Sequence, residues 1–302
     1  MLFRSLPRRN PIVEGINLLP YDYDQRIQNF LTEYLGTDTN PVPFGGRDEA
    51  LKMLDTWLAE TTPYLLLAAP AGRGKSALLV RWLDSLKERE DLAPTFVPVS
   101  IRFGTNMERV FYAALAARLA YLHGDDIPAS PETSTAVYRG LVSDYLSKPL
   151  ANGRTLLVVL DGLDEAADWQ AGADFMPNEL PAGVRVVVSA RFLAGDSDSA
   201  SWLRRLNWER NRLASAPSLT PLDRAGVADV LLKMGCPLDE LSRKLDIVAE
   251  LYRLSAGDPL LVSLYVNDLW EKGEAVARLQ PEDLAGILPR SEERRVGKEC
   301  RS

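Results

Sequence analysis

The chain has 302 residues, 46% of them hydrophobic, enough for about two cored domains. Its 35 basic and 42 acidic residues give a net charge of −7. That excludes a general electrostatic attraction for DNA or an anionic membrane, while leaving room for a local basic patch. One histidine, His123, and two cysteines, Cys236 and Cys300, leave no ligand set for a zinc site. No apolar run approaches the roughly 20 residues that span a bilayer.

Reading along the chain, Leu2-Phe-Arg-Ser5 resembles a read through a sequencing adaptor, and Tyr23 to Tyr34 reads as a short helix. Residues 1–40 are expected to be a linker, from an effector domain outside this chain. Asn40-Pro-Val-Pro43 marks the first boundary, because two prolines interrupt any regular element. Asp48 to Leu58 carries Leu51, Leu54 and Leu58 at helical spacing. The apolar run Tyr64-Leu-Leu-Leu-Ala68 then leads into Ala69-Pro-Ala-Gly-Arg-Gly-Lys-Ser76 and a helix over 76–87.

That passage has the order strand, glycine-rich turn, Gly-Lys-Ser, helix. Gly72 and Gly74 let the backbone of Ala71 to Gly74 curl with its N–H groups around a phosphate. Lys75 reaches the outer phosphates and the Ser76 hydroxyl is placed for Mg²⁺. The starting helix adds its positive N-terminal dipole. Ala69 stands where the first glycine is usual, and Arg73 is expected to face solvent.

A strand over 95–101 follows, with a proline that suggests an entrance or irregularity. Met107 to Leu122 is an alanine-rich helix, and Pro131 to Leu146 another with proline at its start. Thr155-Leu-Leu-Val-Val-Leu160 reads as a central parallel strand buried on both faces, ending in Asp161-Gly-Leu-Asp164-Glu165. An acid at such a tip sits where ligands collect in a doubly wound sheet. Asp161 is expected to hold Mg²⁺ through water, and Asp164 or Glu165 to polarise the attacking water. The pairing of the two motifs decides for a nucleoside triphosphate site.

Val184 to Ala190 completes the clear strands, and 212–217 offers a fifth. Trp57, Trp82 and Tyr112 lie at helical spacings and read as core. Trp202 and Trp208 flank Arg204, Arg205, Arg210 and Arg212, for which a structural or inter-domain role is favoured over a nucleic-acid patch. From Pro221 the pattern turns helical, over 222–234, 237–254 and 259–270. The expected division is 41–215 for the nucleotide-binding domain and 216–289 for a small α-helical lid. The fold class is thus α/β, a P-loop NTPase whose parallel sheet is flanked by helices.

The stretch Arg290 to Ser302 has no apolar periodicity and is recognised as the translation of a common sequencing adaptor, so 290–302 is expected to be a disordered tail. The expectation is a fragment of a longer protein. Without the tail and Arg4, 29 basic and 39 acidic residues remain, a net −10. Cys236 is then the one native cysteine, which fits a reducing cytosol and a cytoplasmic protein.

Asp161-Gly-Leu-Asp-Glu resembles the second nucleotide motif of the STAND class of signalling ATPases, especially its NACHT branch. Phe44-Gly-Gly46-Arg47-Asp48-Glu49 resembles the segment that packs on adenine in STAND and related AAA+ ATPases. Val184 to Arg191 resembles the fourth strand with its sensor arginine, and Gly257-Asp-Pro259 the Gly-x-Pro motif of the helical lid. Arg191 also fits a plain surface arginine, and Gly257-Asp-Pro259 an ordinary helix start. The resemblance covers roughly Pro41 to Trp270.

The resemblance implies ATP or ADP with Mg²⁺ bound by the P-loop, Gly46 and Arg47 at the base, Arg191 near the γ-phosphate and Pro259 carrying the lid contact. It further implies nucleotide-dependent self-association, with sensor and effector domains beyond this chain. In-line attack of water on the γ-phosphate needs positioning and charge stabilisation more than covalent chemistry. The leading expectation is a STAND/NACHT-like switch in signalling or defence with slow hydrolysis. The alternatives are an AAA+-type turnover ATPase, remodelling protein or associated with DNA, and a nucleotide-binding scaffold that scarcely hydrolyses.

Overall fold

Parallel strands need crossover connections, which helices supply after β-strands 64–69, 92–98 and 184–191 and the largely irregular segment 162–183 supplies after 155–161. The computed structural model describes residues 11–13, 23–37, 40–125, 132–209 and 213–286. In chain order these form α1 (Tyr23–Leu35), the short pair β1 (Gly36–Thr37) and β2 (Asn40–Pro41), α2 (Asp48–Ala59), β3 (Tyr64–Ala69), α3 (Lys75–Leu86) and β4 (Leu92–Pro98). Next come α4 (Glu108–His123), α5 (Thr135–Leu146), β5 (Thr155–Asp161), β6 (Val184–Arg191), α6 (Ala200–Arg205) and β7 (Ala214–Ser215). The chain continues with α7 (Arg224–Met234), α8 (Leu245–Ser255), α9 (Pro259–Lys272) and α10 (Pro281–Ala285). The adaptor-like segments 2–5 and 290–302 lie outside the described residues. No described helix is long and apolar enough to cross a membrane.

Contacts divide the described residues into two compact units. The first takes those of Met1–Tyr34, Leu54–Pro70 and Leu79–Ser218; the second takes those of Leu35–Met53, Ala71–Leu78 and Leu219–Ser302.

The first unit is built on a five-stranded parallel sheet in the order β4-β5-β6-β3-β7. Tyr64 to Leu67 and Leu156 to Leu160 are fully buried, which is why both strands read as unbroken apolar runs instead of alternating ones. β6 lies between β3 and β5, so their tips are roughly 10 Å apart, two strand spacings. The register sets Arg191 beside Ala69, and Val188 beside Leu160.

β4 runs three residues earlier than the sequence suggests and stops at Pro98. Beyond it the chain turns, with Ser100 donating its N–H to the Thr105 hydroxyl at 3.1 Å and Thr105 returning its own to the Ser100 carbonyl at 2.9 Å. Pro94 is tolerated because β4 is an edge strand. Buried Arg118 of α4 donates to the Pro94 carbonyl at 3.0 Å, and Arg154 donates to that of Leu92. α5 starts at Thr135, capped by the Ser134 hydroxyl; Pro131 lies outside the described residues.

The aromatic residues are core, as their helical spacing suggests. Trp82 donates to Asp55 at 2.8 Å, Trp57 to the Tyr64 carbonyl at 3.2 Å, and Trp208 stacks on Tyr64 at 4.3 Å. Trp202 and Trp208 are buried, and Arg205 forks onto Asp196 at 2.7 and 2.8 Å; Arg210 and Arg212 lie outside the described residues. α1 joins this unit through Phe30, whose ring meets Phe96 at 5.5 Å and Phe103 at 5.3 Å.

The second unit gathers its core from α7, α8, α9 and the turns between them, with Leu231, Leu241, Ile247, Leu251, Val266 and Leu269 buried. The stretch 237–254 is broken, where a single helix is expected. Leu238 and Leu241 are buried three apart, but the next buried residue, Ile247, is six further on. That step leaves the 3–4 spacing of one helical face, so a turn of 3-10 helix at Leu241–Arg243 intervenes and Leu245 points outward at 82% exposure.

Candidate functional site

Two groups of residues carry the chemistry the sequence announces, one in each unit. In the second unit the glycine-rich turn leaves β3 at Pro70 and enters α3 at Lys75. Gly72 and Gly74 take φ of +81° and +79°, the left-handed conformation a side chain resists. The Gly74 carbonyl accepts the Leu78 N–H at 2.9 Å, so Lys75 and Ser76 occupy the first turn of α3, Lys75 buried and Ser76 half-buried. Ala71 is exposed at the turn's crest.

The start of α9 lies against this turn. Asp258 caps α9 by accepting from the Leu260 N–H at 3.0 Å and the Leu261 N–H at 3.3 Å. Leu260 also donates to the Gly72 carbonyl at 3.2 Å. A Cβ on Gly72 would come within 3.2 Å of the Asp258 carboxylate, and one on Gly74 within 3.6 Å of Pro259. Arg73 is half-buried and 3.7 Å from the Asp258 carboxylate, where solvent exposure is expected from sequence; the reason is an acid 185 residues away in sequence. Asp258→Ala is expected to cost about 1 kcal/mol by loss of the helix cap, read as a lowered thermal midpoint, whereas Asp258→Asn retains most of the stability.

Arg47 braces the same turn. Its side chain is buried, with one Nη donating to the Thr220 carbonyl at 2.8 Å and the other to the Arg73 carbonyl at 2.9 Å. Burial, then the nearby Arg73 charge, pull its pKa below the usual arginine value. Gly46, expected at the base of the nucleotide, gives its N–H to Asp229 of α7 at 2.6 Å. Its φ is +63°, and a Cβ there would stand 2.4 Å from the Gly226 Cα. Lys233 ties Asp229 (2.8 Å) to Asp48 (3.1 Å). The structure therefore brings Gly46, Arg47, Gly72, Gly74 and Pro259 into one neighbourhood. Sequence reasoning missed Asp229, Asp258 and the Thr220 carbonyl, for which no local signal exists.

In the first unit the tips of β5 and β6 form the second group. Asp161 is buried, and the Ser189 hydroxyl donates to its carboxylate while accepting the Gly162 N–H at 3.0 Å. Gly162 has φ of +84° and a Cβ there would meet the Val99 carbonyl at 2.7 Å, so the turn after Asp161 requires glycine. Asp164 accepts the Arg191 backbone N–H at 2.6 Å and pairs with Arg191 Nε. Its hydrogen bond raises the Arg191 pKa, against the opposing effect of burial. Glu165 accepts the Ile101 N–H at 3.0 Å, with its other oxygen 3.9 Å from Arg191 Nη2. The Trp202 indole N–H donates to the Arg191 carbonyl at 2.8 Å. Among the described residues no cluster of three or more His, Cys, Asp or Glu is arranged to hold a metal.

No protein-family model matches the chain. No curated protein matches it either. Solved structures do. The Aeropyrum pernix Orc1 protein, determined in complex with DNA, is 18% identical over 88% of this chain and 70% of its own, with a TM-score of 0.53. A Walker-type ATPase of Pyrococcus abyssi is 15% identical, covering 84% of this chain and 75% of its own, at 0.52. Cdc6p of Pyrobaculum aerophilum is 16% identical, covering 82% and 66%, at 0.51. The chain has the P-loop NTPase fold of these proteins, a parallel sheet flanked by helices and followed by C-terminal helices.

Proposed function

We propose that this chain is the ATP-binding core of a P-loop ATPase of the AAA+ kind. The observation that carries the reading is the turn between β3 and α3, where Gly72 and Gly74 are both left-handed and Lys75 opens the helix. Curled backbone N–H groups and a helix start suit a polyphosphate. Gly72, Gly74 and Lys75 hold the phosphates, aided by the Ala71 backbone. Ser76 and Asp161 offer only oxygen donors, which suits Mg²⁺; the metal supplies neutralisation of the charge that develops on the transferred phosphoryl group. Arg191 adds cationic stabilisation, Asp164 or Glu165 acts on the water, and Gly46 with Arg47 lies toward the base. Pro259 links nucleotide state to the C-terminal helices.

The AAA+ reading stands ahead of the STAND/NACHT switch because the solved proteins of like fold are Orc1, Cdc6p and a Walker-type ATPase. The switch remains the second reading on one observation, the contact of Asp258 and Pro259 with the P-loop glycines, where the NACHT-like resemblance puts its Gly-x-Pro motif. Both readings imply nucleotide-dependent self-association. The Aeropyrum neighbour was determined in complex with DNA, which bears against the expectation of no general nucleic-acid affinity; the acidic balance restricts any such contact to a local basic surface.

Titration of the whole chain with Mg²⁺ and a fluorescent ATP analogue, mant-ATP, tests the site. Wild type is expected to bind, and Lys75→Ala to bind at least about tenfold more weakly, the size of one lost charge-assisted contact. Equal binding by both proteins sinks the assignment. Steady, rapid turnover favours the AAA+ reading. Slow hydrolysis with a nucleotide-dependent change in particle size favours the switch, and binding without turnover the scaffold.

A further inference from the structure

We propose that Asp164 is a positioning residue for Arg191 and that Glu165 is the acid left to act on water. This deepens the ATPase reading and rests on it. Both Asp164 oxygens are taken by the same residue, one by the Arg191 backbone N–H at 2.6 Å and the other by Arg191 Nε. The Asp164 side chain is only 3% exposed. A general base needs a lone pair within reach of the proton it abstracts, and this carboxylate is buried with each oxygen already accepting from Arg191, which turns it away from water.

What the contact does instead is geometric. A carboxylate gripping Nε fixes the guanidinium plane while claiming neither Nη group; Nη2 lies 3.9 Å from Glu165, and the Arg191 side chain is 47% exposed. The backbone of Arg191 is pinned as well, by Trp202 on its carbonyl and by Asp164 on its N–H. The next residue, Phe192, donates to the Ala69 carbonyl at 3.3 Å. Arg191 thus stands level with Ala69, the last residue of β3. Glu165 is one-third exposed and holds a single backbone N–H, that of Ile101. The two adjacent acids therefore divide the work, Asp164 holding the cation and Glu165 remaining the more accessible carboxylate.

A double-mutant cycle on the whole chain tests this. Asp164→Asn keeps the shape and removes the charge. It is expected to lower kcat for ATP about tenfold, with KM changed less than about twofold, and to erode the preference for mant-ATP over mant-ADP. Added to Arg191→Ala it is expected to change neither quantity by more than about twofold, because its effect passes through the arginine. Glu165→Gln, by contrast, is expected to lower kcat further in the Arg191→Ala background, by a factor reduced by its own 3.9 Å pairing with the arginine. Multiplicative losses for Asp164→Asn with Arg191→Ala overturn the proposal, as does a thermal destabilisation of Asp164→Asn with kcat and nucleotide preference untouched. A wild type that binds mant-ATP without turnover is judged on the nucleotide preference alone. A wild type that binds no mant-ATP overturns the ATPase reading, and this inference falls with it.

Discussion

Arg47→Ala is expected to destabilise the protein by about 2–3 kcal/mol and to weaken mant-ATP binding by about tenfold or more. The guanidinium satisfies two carbonyls, Thr220 and Arg73, that lie 173 and 26 residues away in sequence. Removing it leaves both without that donor; Thr220 is exposed and Arg73 half-buried, so the loss is that of two charge-assisted hydrogen bonds, about 1.5–3 kcal/mol each and less where water replaces the donor. Relief of the arginine's own desolvation and of its repulsion by Arg73, the two causes that depress its pKa, offsets part of that loss. The binding effect follows from the Arg73 carbonyl, because that contact holds the phosphate loop in its curled form. Arg47→Lys is expected to recover less than half of either loss, since a single ammonium on a flexible stem cannot serve two fixed acceptors as a planar fork does. Urea denaturation and a mant-ATP titration measure the two effects. Unchanged midpoint and affinity in Arg47→Ala refute the brace.

Gly257→Ala is expected to be as damaging, through the backbone. Gly257 has φ of +69°, and an added Cβ would stand 2.0 Å from the Leu222 carbonyl oxygen. No real side chain tolerates that approach, so one of the two segments has to move. They are hydrogen-bonded at the same point, with the Leu222 N–H on the Gly257 carbonyl at 2.8 Å. Displacement therefore adds a lost hydrogen bond, about 1 kcal/mol, to about 1–2 kcal/mol for the left-handed backbone, and a packing shift in α9 comes on top. A total of about 3 kcal/mol or more is expected as a fall in the thermal unfolding midpoint. Gly273→Ala is the control. Its φ is +56° but nothing lies within 4 Å of the added carbon, so only the backbone cost of about 1–2 kcal/mol remains. Equal losses for the two substitutions argue against the steric account.

These two predictions also mark where sequence reasoning works and where it stops. β3 and β5 are legible because strands buried on both faces leave unbroken apolar runs ending at their motifs. The left-handed glycines of the phosphate loop are legible because Gly-x-Gly-Lys-Ser has few other uses. β4 is displaced in the sequence reading because Pro98 is taken as lying inside the strand when it ends it, while Pro94 within the strand is tolerable at the sheet edge. The break between 237 and 245 hides because Leu238, Leu241, Ile247 and Leu251 are all apolar and only their spacing betrays it. Arg47, Pro259 and Arg191 are picked out locally, but their partners are set by tertiary approach. Asp164 shows the same limit, since a motif gives residue types and only coordinates say which acid faces the arginine. Short motifs resemble the NACHT pattern, whereas likeness over the whole fold runs to Orc1, Cdc6p and a Walker-type ATPase.

The flanks of the five-stranded sheet bear on how copies of this protein can meet. On one side β4 contains Pro94, which has no N–H to offer, and two of its carbonyls, Leu92 and Pro94, are already occupied by Arg154 and Arg118. On the other side β7 is two residues long. A visiting strand finds almost no ladder to extend on either flank. Any assembly of these cores has to be made by side-chain and helical surfaces, with the backbone of the sheet kept out of it. Such contacts are tuned by single charges and by salt, as strand-to-strand pairing is not.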